Sequence, residues 1–287
     1  MRDPDYLDRV LTGIDIVCHA AGWSSFEKSA DTCNKEYLEP SLDLINRAIE
    51  WRVKRFVNLS SLFVAKPTQR DNAGAIGKPR AYWPMMNCLI AVEDYLRSYT
   101  DCRTQFINLR LGIYSGKRLN MGLLPLLLAR SGKSTLPYIN SELGHLPIID
   151  GKDIGQAFAR AALAPIEVSY SCLNICGPEV PSHAEAMDFI KQHISHSPLN
   201  LKLPSPLDRL VLWFASHFQH FEQQPMLTGA MLDMLKSPLI SNIQAQQVMG
   251  YDPIVSWKAS LLDTLEIYKN QRLNKDISQI SKSLNLE

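Results

Sequence analysis

The sequence predicts an α/β protein built on a parallel β-sheet, and two observations support that prediction. Short β-branched runs alternate with stretches of helical periodicity over the first two-thirds of the 287 residues. Each run ends in small or polar residues, which is typical of strands that pass into a loop. Strand–helix–strand order of this kind builds a parallel sheet with right-handed crossovers.

Three strands and two helices account for the first part of the chain. The predicted strands are Ile14–His19, Arg55–Leu59 and Gln105–Leu111, and the predicted helices are Leu38–Trp51 and Pro84–Tyr99. Apolar residues recur every three to four positions in both helices, so each helix has one face for the core. Pro84 stands in a first turn, where the missing amide hydrogen costs no helical hydrogen bond.

After Lys117 the pattern shifts towards helices with scattered prolines, which is typical of a substrate lobe attached to a sheet domain. The predicted strands are Leu146–Ile149 and Ser169–Ile175, and the predicted helices are Gly155–Leu163, Ala184–His193, Pro206–His217, Thr228–Leu235 and Ile243–Met249. We therefore expect a partial sheet domain over 1–117. A mixed region over 118–270 is mainly substrate lobe with late strands of the sheet, and a polar tail covers 271–287.

Composition and charge exclude several classes of function. Hydrophobic residues make up 46% and charged residues 21%, which is ordinary for a globular protein. A net charge of +1 indicates no basic surface for nucleic acid or for an anionic membrane. No apolar run reaches the ~20 residues of a membrane-spanning helix, and MRDPDYLDRV is not a signal peptide. Six cysteines without a CxxC pair indicate reduced thiols, so we expect a cytoplasmic protein.

Three predicted strand ends are candidate parts of one ligand site. They are HAAG at His19–Gly22, LSS at Leu59–Ser61 and RLGIYSG at Arg110–Gly116. Ligands of open α/β sheets bind beyond the carboxyl ends of the strands. Small residues at the first end would let a flat cofactor lie against the backbone, and hydroxyls at the second could polarise a carbonyl. Each end alone is explained equally well as a tight turn between strand and loop.

Together with later segments, these motifs resemble the extended short-chain dehydrogenase/reductase family, also called NAD-dependent epimerases/dehydratases. The matching segments are TGIDIVCHAAG, RVKRFVNLSS, INLRLGIYSG, LPIIDGKDIGQAFARA and CLNICGPE. PMLTGAML and NIQAQQVMGYDPIVSWKASLLDTLE resemble the C-terminal part of its 3β-hydroxysteroid dehydrogenase and dihydroflavonol reductase branch. The resemblance covers nearly the whole chain in the right order.

The resemblance implies a Rossmann-type domain that binds NAD or NADP and a smaller C-terminal substrate lobe. It also implies hydride transfer between the nicotinamide and a small-molecule alcohol or ketone of steroid-like, flavonoid-like or sugar-nucleotide character. Ser61 matches the family's catalytic hydroxyl. The residues that match its cofactor-lining segments are Ala20, Ala21, Gly22, Ser60, Leu111, Gly112 and Ile113.

At its N-terminus the sequence departs from the family, because it contains no GxxGxxG turn. Such glycines let backbone amides approach a pyrophosphate. MRDPDYLDRV resembles the stretch just past the family's third strand, so we expect an N-terminally truncated sheet, with roughly 50–60 residues missing through a truncated reading frame or a late-annotated start. The strand Ile14–His19 would then form an open sheet edge. A partner would cover that edge, and a homodimer is one candidate.

The family's Tyr-x-x-x-Lys pair also lacks a match. In the family the tyrosine holds the substrate oxygen, and the lysine lowers the pKa of that phenol. If Tyr82 is the tyrosine, the lysine position is Met86. Alignment on Glu93, which takes the family's Lys-x-x-x-Glu spacing, gives Met85 and Leu89 instead. This second alignment puts the tyrosine position 24 residues after Ser61, nearer the usual interval than the 21 residues to Tyr82.

No shift of the alignment restores the lysine, because none occurs between Lys78 and Lys117. Tyr82 is still a candidate proton donor beside a helix N-terminus, although it is also explained as an aromatic residue packing the helix entry. The helix end contributes ~0.3–1 kcal/mol, short of the ~1.4 kcal/mol that one pKa unit requires. The family's asparagine in the preceding helix is also absent, and Tyr37 stands in its place with Asn34 three residues earlier.

Two hypotheses of different class follow. The first is an NAD(P)-dependent oxidoreductase in which Ser61 polarises the substrate oxygen and Tyr82 donates a proton. The second is a catalytically impaired dehydrogenase-like fold that serves as a cofactor-sensing or protein-interaction module. The missing lysine and glycine-rich turn favour the second, whereas the overall family pattern favours the first. We expect no metal site, because the histidine pairs 193/196 and 217/220 have no further ligand at suitable spacing.

Overall fold

The computed structural model describes residues 4–22, 29–99, 103–117, 144–193, 229–234, 237–267 and 269–270. A four-stranded parallel sheet in the order β1-β2-β3-β6 forms the centre of this part of the chain. Its strands are β1 (Ile16–His19), β2 (Arg55–Ser61), β3 (Gln105–Leu111) and β6 (Tyr170–Ile175). A second parallel pair consists of β4 (Ile113–Ser115) and β5 (Ile148–Asp150). The predicted α/β class with a parallel sheet is confirmed.

Helices flank these strands. They are α1 (Pro4–Leu11), α2 (Ala30–Cys33), a π-helical turn (Asn34–Leu38), α3 (Glu39–Glu50), α4 (Pro84–Ser98), α5 (Gly151–Leu163), α6 (His183–His193), α7 (Gly229–Met234), α8 (Ile243–Met249) and α9 (257–267). Two 3₁₀ turns, Leu62–Val64 and Pro67–Gln69, lie between β2 and α4. In the described ranges, no helix has the length and hydropathy needed to cross a membrane.

Side chains point alternately to the two faces of the sheet, and this alternation divides the core into two layers. Phe56 and Phe106 are paired neighbours in β2 and β3 and join the cluster formed with α1, α3 and α4. The next residues, Val57 and Ile107, point to the opposite face and join the cluster formed with α5 and α8. The central strands are therefore buried on both faces, as parallel strands usually are.

Several element bounds differ from the prediction. The first strand begins at Ile16 rather than Ile14, and the helix predicted from Leu38 continues a helical segment that starts at Ala30. Helix α5 begins at Gly151 rather than Gly155, because the Asp150 carboxylate accepts a hydrogen bond from the Lys152 amide at 2.8 Å and caps the first turn. The helix predicted over 206–217 and the tail over 271–287 lie outside the described residues.

Candidate functional site

The three predicted strand ends meet at one edge of the main sheet. β1, β2 and β3 are adjacent and parallel, and His19 pairs with Asn58, which in turn pairs with Asn108. The turn after β1 therefore runs beside the last residues of β2. Ala20 and Gly22 are exposed there, and Ala21 is half-buried. A Cβ on Gly22 would lie 3.5 Å from Leu59 Cδ2, an ordinary contact, so this glycine is not required by crowding.

Ser61 ends β2 with its hydroxyl at this edge. The residue is half-buried and extended, and its Oγ accepts a hydrogen bond from the Phe63 amide at 3.3 Å. Because that bond uses an oxygen lone pair, the hydroxyl hydrogen is left to donate elsewhere. Ser61 can therefore donate a hydrogen bond to a ligand oxygen, which is what a catalytic or binding hydroxyl needs to do.

The neighbouring Ser60 has a different environment. It is fully buried, and its Oγ donates to Glu93 Oε1 at 2.5 Å. The Arg110 guanidinium binds the same carboxylate, with Nε 3.0 Å from Oε1 and Nη2 2.5 Å from Oε2. Burial alone would lower the pKa of Arg110, but the hydrogen bonds and charge of Glu93 raise it above its ordinary value. The predicted cofactor contact of Ser60 stays a prediction, and its hydroxyl is committed to a network that joins α4 to β2 and β3.

Between β3 and β4, the predicted carboxamide-binding segment is held close to another stretch of backbone. A Cβ on Gly112 would lie 2.0 Å from the Pro147 carbonyl oxygen, so only glycine fits. The Ile113 amide donates to that same oxygen at 2.7 Å. The side chains of Leu111 and Ile113 are buried. This segment can therefore contribute backbone, rather than these side chains, to a ligand.

The first turns of α4 hold apolar side chains at the positions of the family's catalytic pair. Met85, Met86 and Leu89 are buried in the cluster formed with α1 and α3. Neither a thioether nor an isobutyl group can carry a positive charge, so neither alignment supplies the cation that would lower the pKa of a phenol. The structure gives no lysine substitute on this face of α4.

Tyr82 is half-buried beside a cluster of charges that the sequence did not predict. Arg70 Nη2 lies 2.9 Å from Asp233 Oδ1, and Arg80 Nη1 lies 3.0 Å from Asp233 Oδ2. Burial and then the charge of Asp233 raise the pKa of Tyr82, and the two arginines offset this only in part. The phenol therefore stays protonated, so it can donate a hydrogen bond but is a poor base. No spacing pattern could have revealed this cluster, because Arg70 and Asp233 are 163 residues apart.

His19, at the end of β1, fixes the strand to the helical segment beside it. Its Nε2 lies 3.1 Å from Ser41 Oγ, and Ser41 donates to the Tyr37 carbonyl oxygen at 2.6 Å. Because the single serine hydrogen is used on Tyr37, Nε2 of His19 must be the donor to Ser41. Burial lowers the pKa of His19 to about 4, so the ring is neutral at pH 7.

At the opposite, amino end of the sheet, the described residues form an open groove of about 760 Å³, lined by Asp15, Lys54, Arg55, Arg103 and Gln105, among others. Arg55 Nη1 donates to the carbonyl oxygens of Ala161, Ala162 and Ala164, at the end of α5. The Arg55 guanidinium therefore caps the end of α5. None of the predicted site residues lines this groove.

Comparison with known proteins gives a family and a fold. Residues 1–176 match the family model described as the NAD dependent epimerase/dehydratase family. No curated protein matches the sequence.

Among solved structures, a UDP-glucose 4-epimerase from Thermotoga maritima is 16% identical, with a TM-score of 0.66 over 94% of this chain and 82% of its own. A UDP-N-acetylglucosamine 4-epimerase from Methanobrevibacter ruminantium is 18% identical, with a TM-score of 0.67 over 92% and 80%. The Bordetella bronchiseptica enzyme WbmG is 16% identical, with a TM-score of 0.64 over 93% and 76%. At these identities the likeness is one of fold.

Proposed function

The chain belongs to the NAD dependent epimerase/dehydratase family, and on that premise we propose that it binds a nicotinamide dinucleotide without carrying out tyrosine–lysine hydride transfer. One observation carries the second part of the proposal. Met85 and Leu89 are buried at the positions that the Glu93 alignment assigns to the tyrosine and lysine. Loss of this pair leaves the fold able to hold a ligand while removing the group that activates the phenol.

The residues at the carboxyl edge fit the nicotinamide end of such a cofactor. Ala20 and Gly22 are exposed and small, so a flat ring can lie against their backbone. Ser61 has a hydroxyl hydrogen to donate, and Gly112 brings its backbone close to the same edge. A bound nicotinamide supplies the capacity to give or accept a hydride. NADP is the alternative to NAD, since the sequence offers no residue that we can assign to the ribose.

A slow reaction is expected even if an alcohol reaches the site. A phenol with an ordinary pKa near 10 is mostly protonated at pH 7, and removal of a proton from the alcohol requires its conjugate base. The pKa of Tyr82 is raised further by its burial and by Asp233. Donation of a proton to a ketone is less affected, because the protonated phenol is then the starting form.

The second candidate is an oxidoreductase or epimerase acting on an alcohol or ketone, with Ser61 and Tyr82 at the substrate oxygen. The two guanidinium groups of Arg70 and Arg80 near Tyr82 favour it, because a cation stabilises a phenolate. Among steroid-like, flavonoid-like and sugar-nucleotide substrates, the sugar nucleotides are favoured by the neighbours. Two of these neighbours were solved with UDP-glucose and with UDP-N-acetylmuramic acid bound.

Titration of the full chain with NADH and with NADPH, followed by nicotinamide fluorescence, tests the proposal. We expect saturable binding of at least one of them. With NAD and UDP-glucose present, we expect neither a change in nicotinamide absorbance, which would report net oxidation, nor formation of an epimerised sugar nucleotide, which would report redox-neutral epimerisation, over many hours. Absence of binding at millimolar cofactor contradicts the first part of the proposal. Turnover that disappears in Tyr82→Phe but survives in Tyr95→Phe would instead establish the second candidate.

A further inference from the structure

Tyr37 carries a buried hydroxyl that no described residue satisfies. The side chain is only 2% exposed, and its Oη has no hydrogen-bond partner within the described part of the chain. Buried polar atoms in folded proteins nearly always have a partner, so an unpaired one requires an explanation. A phenylalanine would fill the same space without the cost of burying a hydroxyl, so core packing does not explain this tyrosine.

Local contacts hold Tyr37 firmly beside the end of β1. Its ring stacks on His19, with 6.3 Å between ring centroids and 19° between ring planes. Its carbonyl oxygen accepts the hydrogen bond from Ser41, which is also bonded to His19. Tyr37 lies within the π-helical turn Asn34–Leu38, and such turns occur frequently at functional sites. The hydroxyl is therefore held by rigid elements rather than by a loop.

Several neighbouring groups affect the ionisation of Tyr37. Burial raises the pKa of Tyr37, Tyr114, Cys88 and Glu93 add to this increase, and the Ser41 side chain offsets it in part. The Glu93 carboxylate is engaged by Arg110, and the Cys88 thiol donates to Asn34 Oδ1 at 3.4 Å. Tyr114 lies in β4, directly after the Leu111–Ile113 segment, and is half-buried. The Tyr37 side chain thus packs with His19 at the end of β1 and with the buried residues of α4.

We propose that Tyr37 is a ligand-binding residue whose hydroxyl donates a hydrogen bond to an oxygen atom of the nicotinamide dinucleotide held at the carboxyl edge. This inference rests on the proposed function, because it names a donor within the same site. The phenol acts as a hydrogen-bond donor, because burial raises the pKa of Tyr37 and keeps its hydroxyl protonated at neutral pH. No described residue satisfies its hydroxyl because the acceptor is the ligand.

The test uses Tyr37→Phe in the full chain, with NADH as the probe. In the absence of ligand, we expect the variant to have a higher Tm, since an unpaired buried hydroxyl is removed. We also expect the variant to bind NADH about three- to tenfold more weakly than the unaltered chain does, which is the effect of losing one hydrogen bond. A merely structural tyrosine would not give these two changes of opposite sign.

Tyr95→Phe is the matched control. The Tyr95 hydroxyl donates to Asn46 Oδ1 at 2.5 Å and lies 2.9 Å from the Tyr99 hydroxyl, between α4 and α3. This variant should therefore have a lower Tm and an unchanged affinity for NADH.

If the unaltered chain binds NADH, two results would overturn this inference while leaving the proposed function standing. One is an affinity of Tyr37→Phe equal to that of the unaltered chain. The other is a lowered Tm of Tyr37→Phe, which would show that a bound water or another partner already satisfies the hydroxyl. Failure of the unaltered chain to bind either dinucleotide overturns the proposed function and this inference with it. That failure is recognised before any variant is made.

Discussion

The two ends of the main sheet use their polar residues in different ways. At the amino end, Arg55 and Gln105 bond to each other and to backbone carbonyls of the loop around Ile166 and of the end of α5. These bonds satisfy groups that a helix terminus leaves open, so their role is structural. At the carboxyl end, a fully buried ion pair lies near a phenol without a partner in the described residues.

The difference between the two ends of the sheet shows where buried polar groups lower the stability of the fold. A half-exposed cation that caps a helix can exchange its bonds for water, whereas a buried carboxylate or phenol cannot. The buried carboxylate at the carboxyl end is satisfied by the protein itself. A buried phenol that no described residue satisfies is expected where a ligand completes the hydrogen bonding. The amino end has no such requirement, and substitutions there should leave ligand binding unchanged.

The largest expected effect is that of breaking the buried pair at the carboxyl end. Glu93→Gln leaves the Arg110 guanidinium buried without a counter-charge, since both side chains are fully buried. Loss of one partner of such a pair costs about 3–5 kcal/mol of unfolding free energy. Urea denaturation followed by circular dichroism measures it.

The matched control is Asp15→Asn at the amino end, where Asp15 and Lys54 form an exposed pair at 2.9 Å. No measurable change is expected there, because exposed pairs contribute little. Equal losses in the two variants would contradict the distinction between the ends of the sheet.

A second prediction concerns the pH dependence of stability through His19. Burial lowers the pKa of His19 to about 4 from 6.5, so the unfolded chain takes up a proton at higher pH than the folded chain does. This contribution to stability is complete above pH 6.5 and is lost as the pH falls towards 4. It amounts to about 3 kcal/mol over that window.

Between neutral pH and pH 4, the unaltered chain should therefore lose about 3 kcal/mol of unfolding free energy more than His19→Gln does. The carboxylates titrate alike in both proteins, so their contribution cancels in the difference. A constant difference across the whole range would show that the imidazole of His19 has an ordinary pKa.

The sequence predicts the regular elements well and the irregular ones poorly. The bounds of β3 and α8 are as predicted, because a short, largely apolar run that ends at Gly112 marks the strand and helical periodicity marks the helix. The start of the second helical segment at Ala30 was missed, since the π-helical turn Asn34–Leu38 interrupts the period of 3.6 residues. Helix α1 was missed because only Leu7 and Leu11 are buried over residues 5–11, where burial is described.

For the site, the sequence predicts which strand ends come together but not the contacts behind them. The parallel order of β1, β2 and β3 follows from the strand–helix pattern, so the meeting of Gly22 and Ser61 at one edge was predictable. The bonds of Arg110 with Glu93, and of Arg70 with Asp233, join distant segments through side-chain geometry. No periodicity encodes such pairs, and the Tyr37 hydroxyl, which no described residue satisfies, is recognised only once its surroundings are known.

The smallest expected effect is at the amino end, where Arg55→Met removes the hydrogen bonds to the end of α5 but keeps the apolar stem of the side chain. Because Arg55 is half-buried, water can reach part of the vacated carbonyl oxygens, and we expect a loss of about 1–3 kcal/mol of unfolding free energy. Arg103→Met, an exposed residue lining the same groove, should show no measurable change. NADH affinity should be the same in both variants as in the unaltered chain, since this groove and the proposed site lie at opposite ends of the strands. Weaker NADH binding by Arg55→Met would show that the two ends of the sheet are coupled.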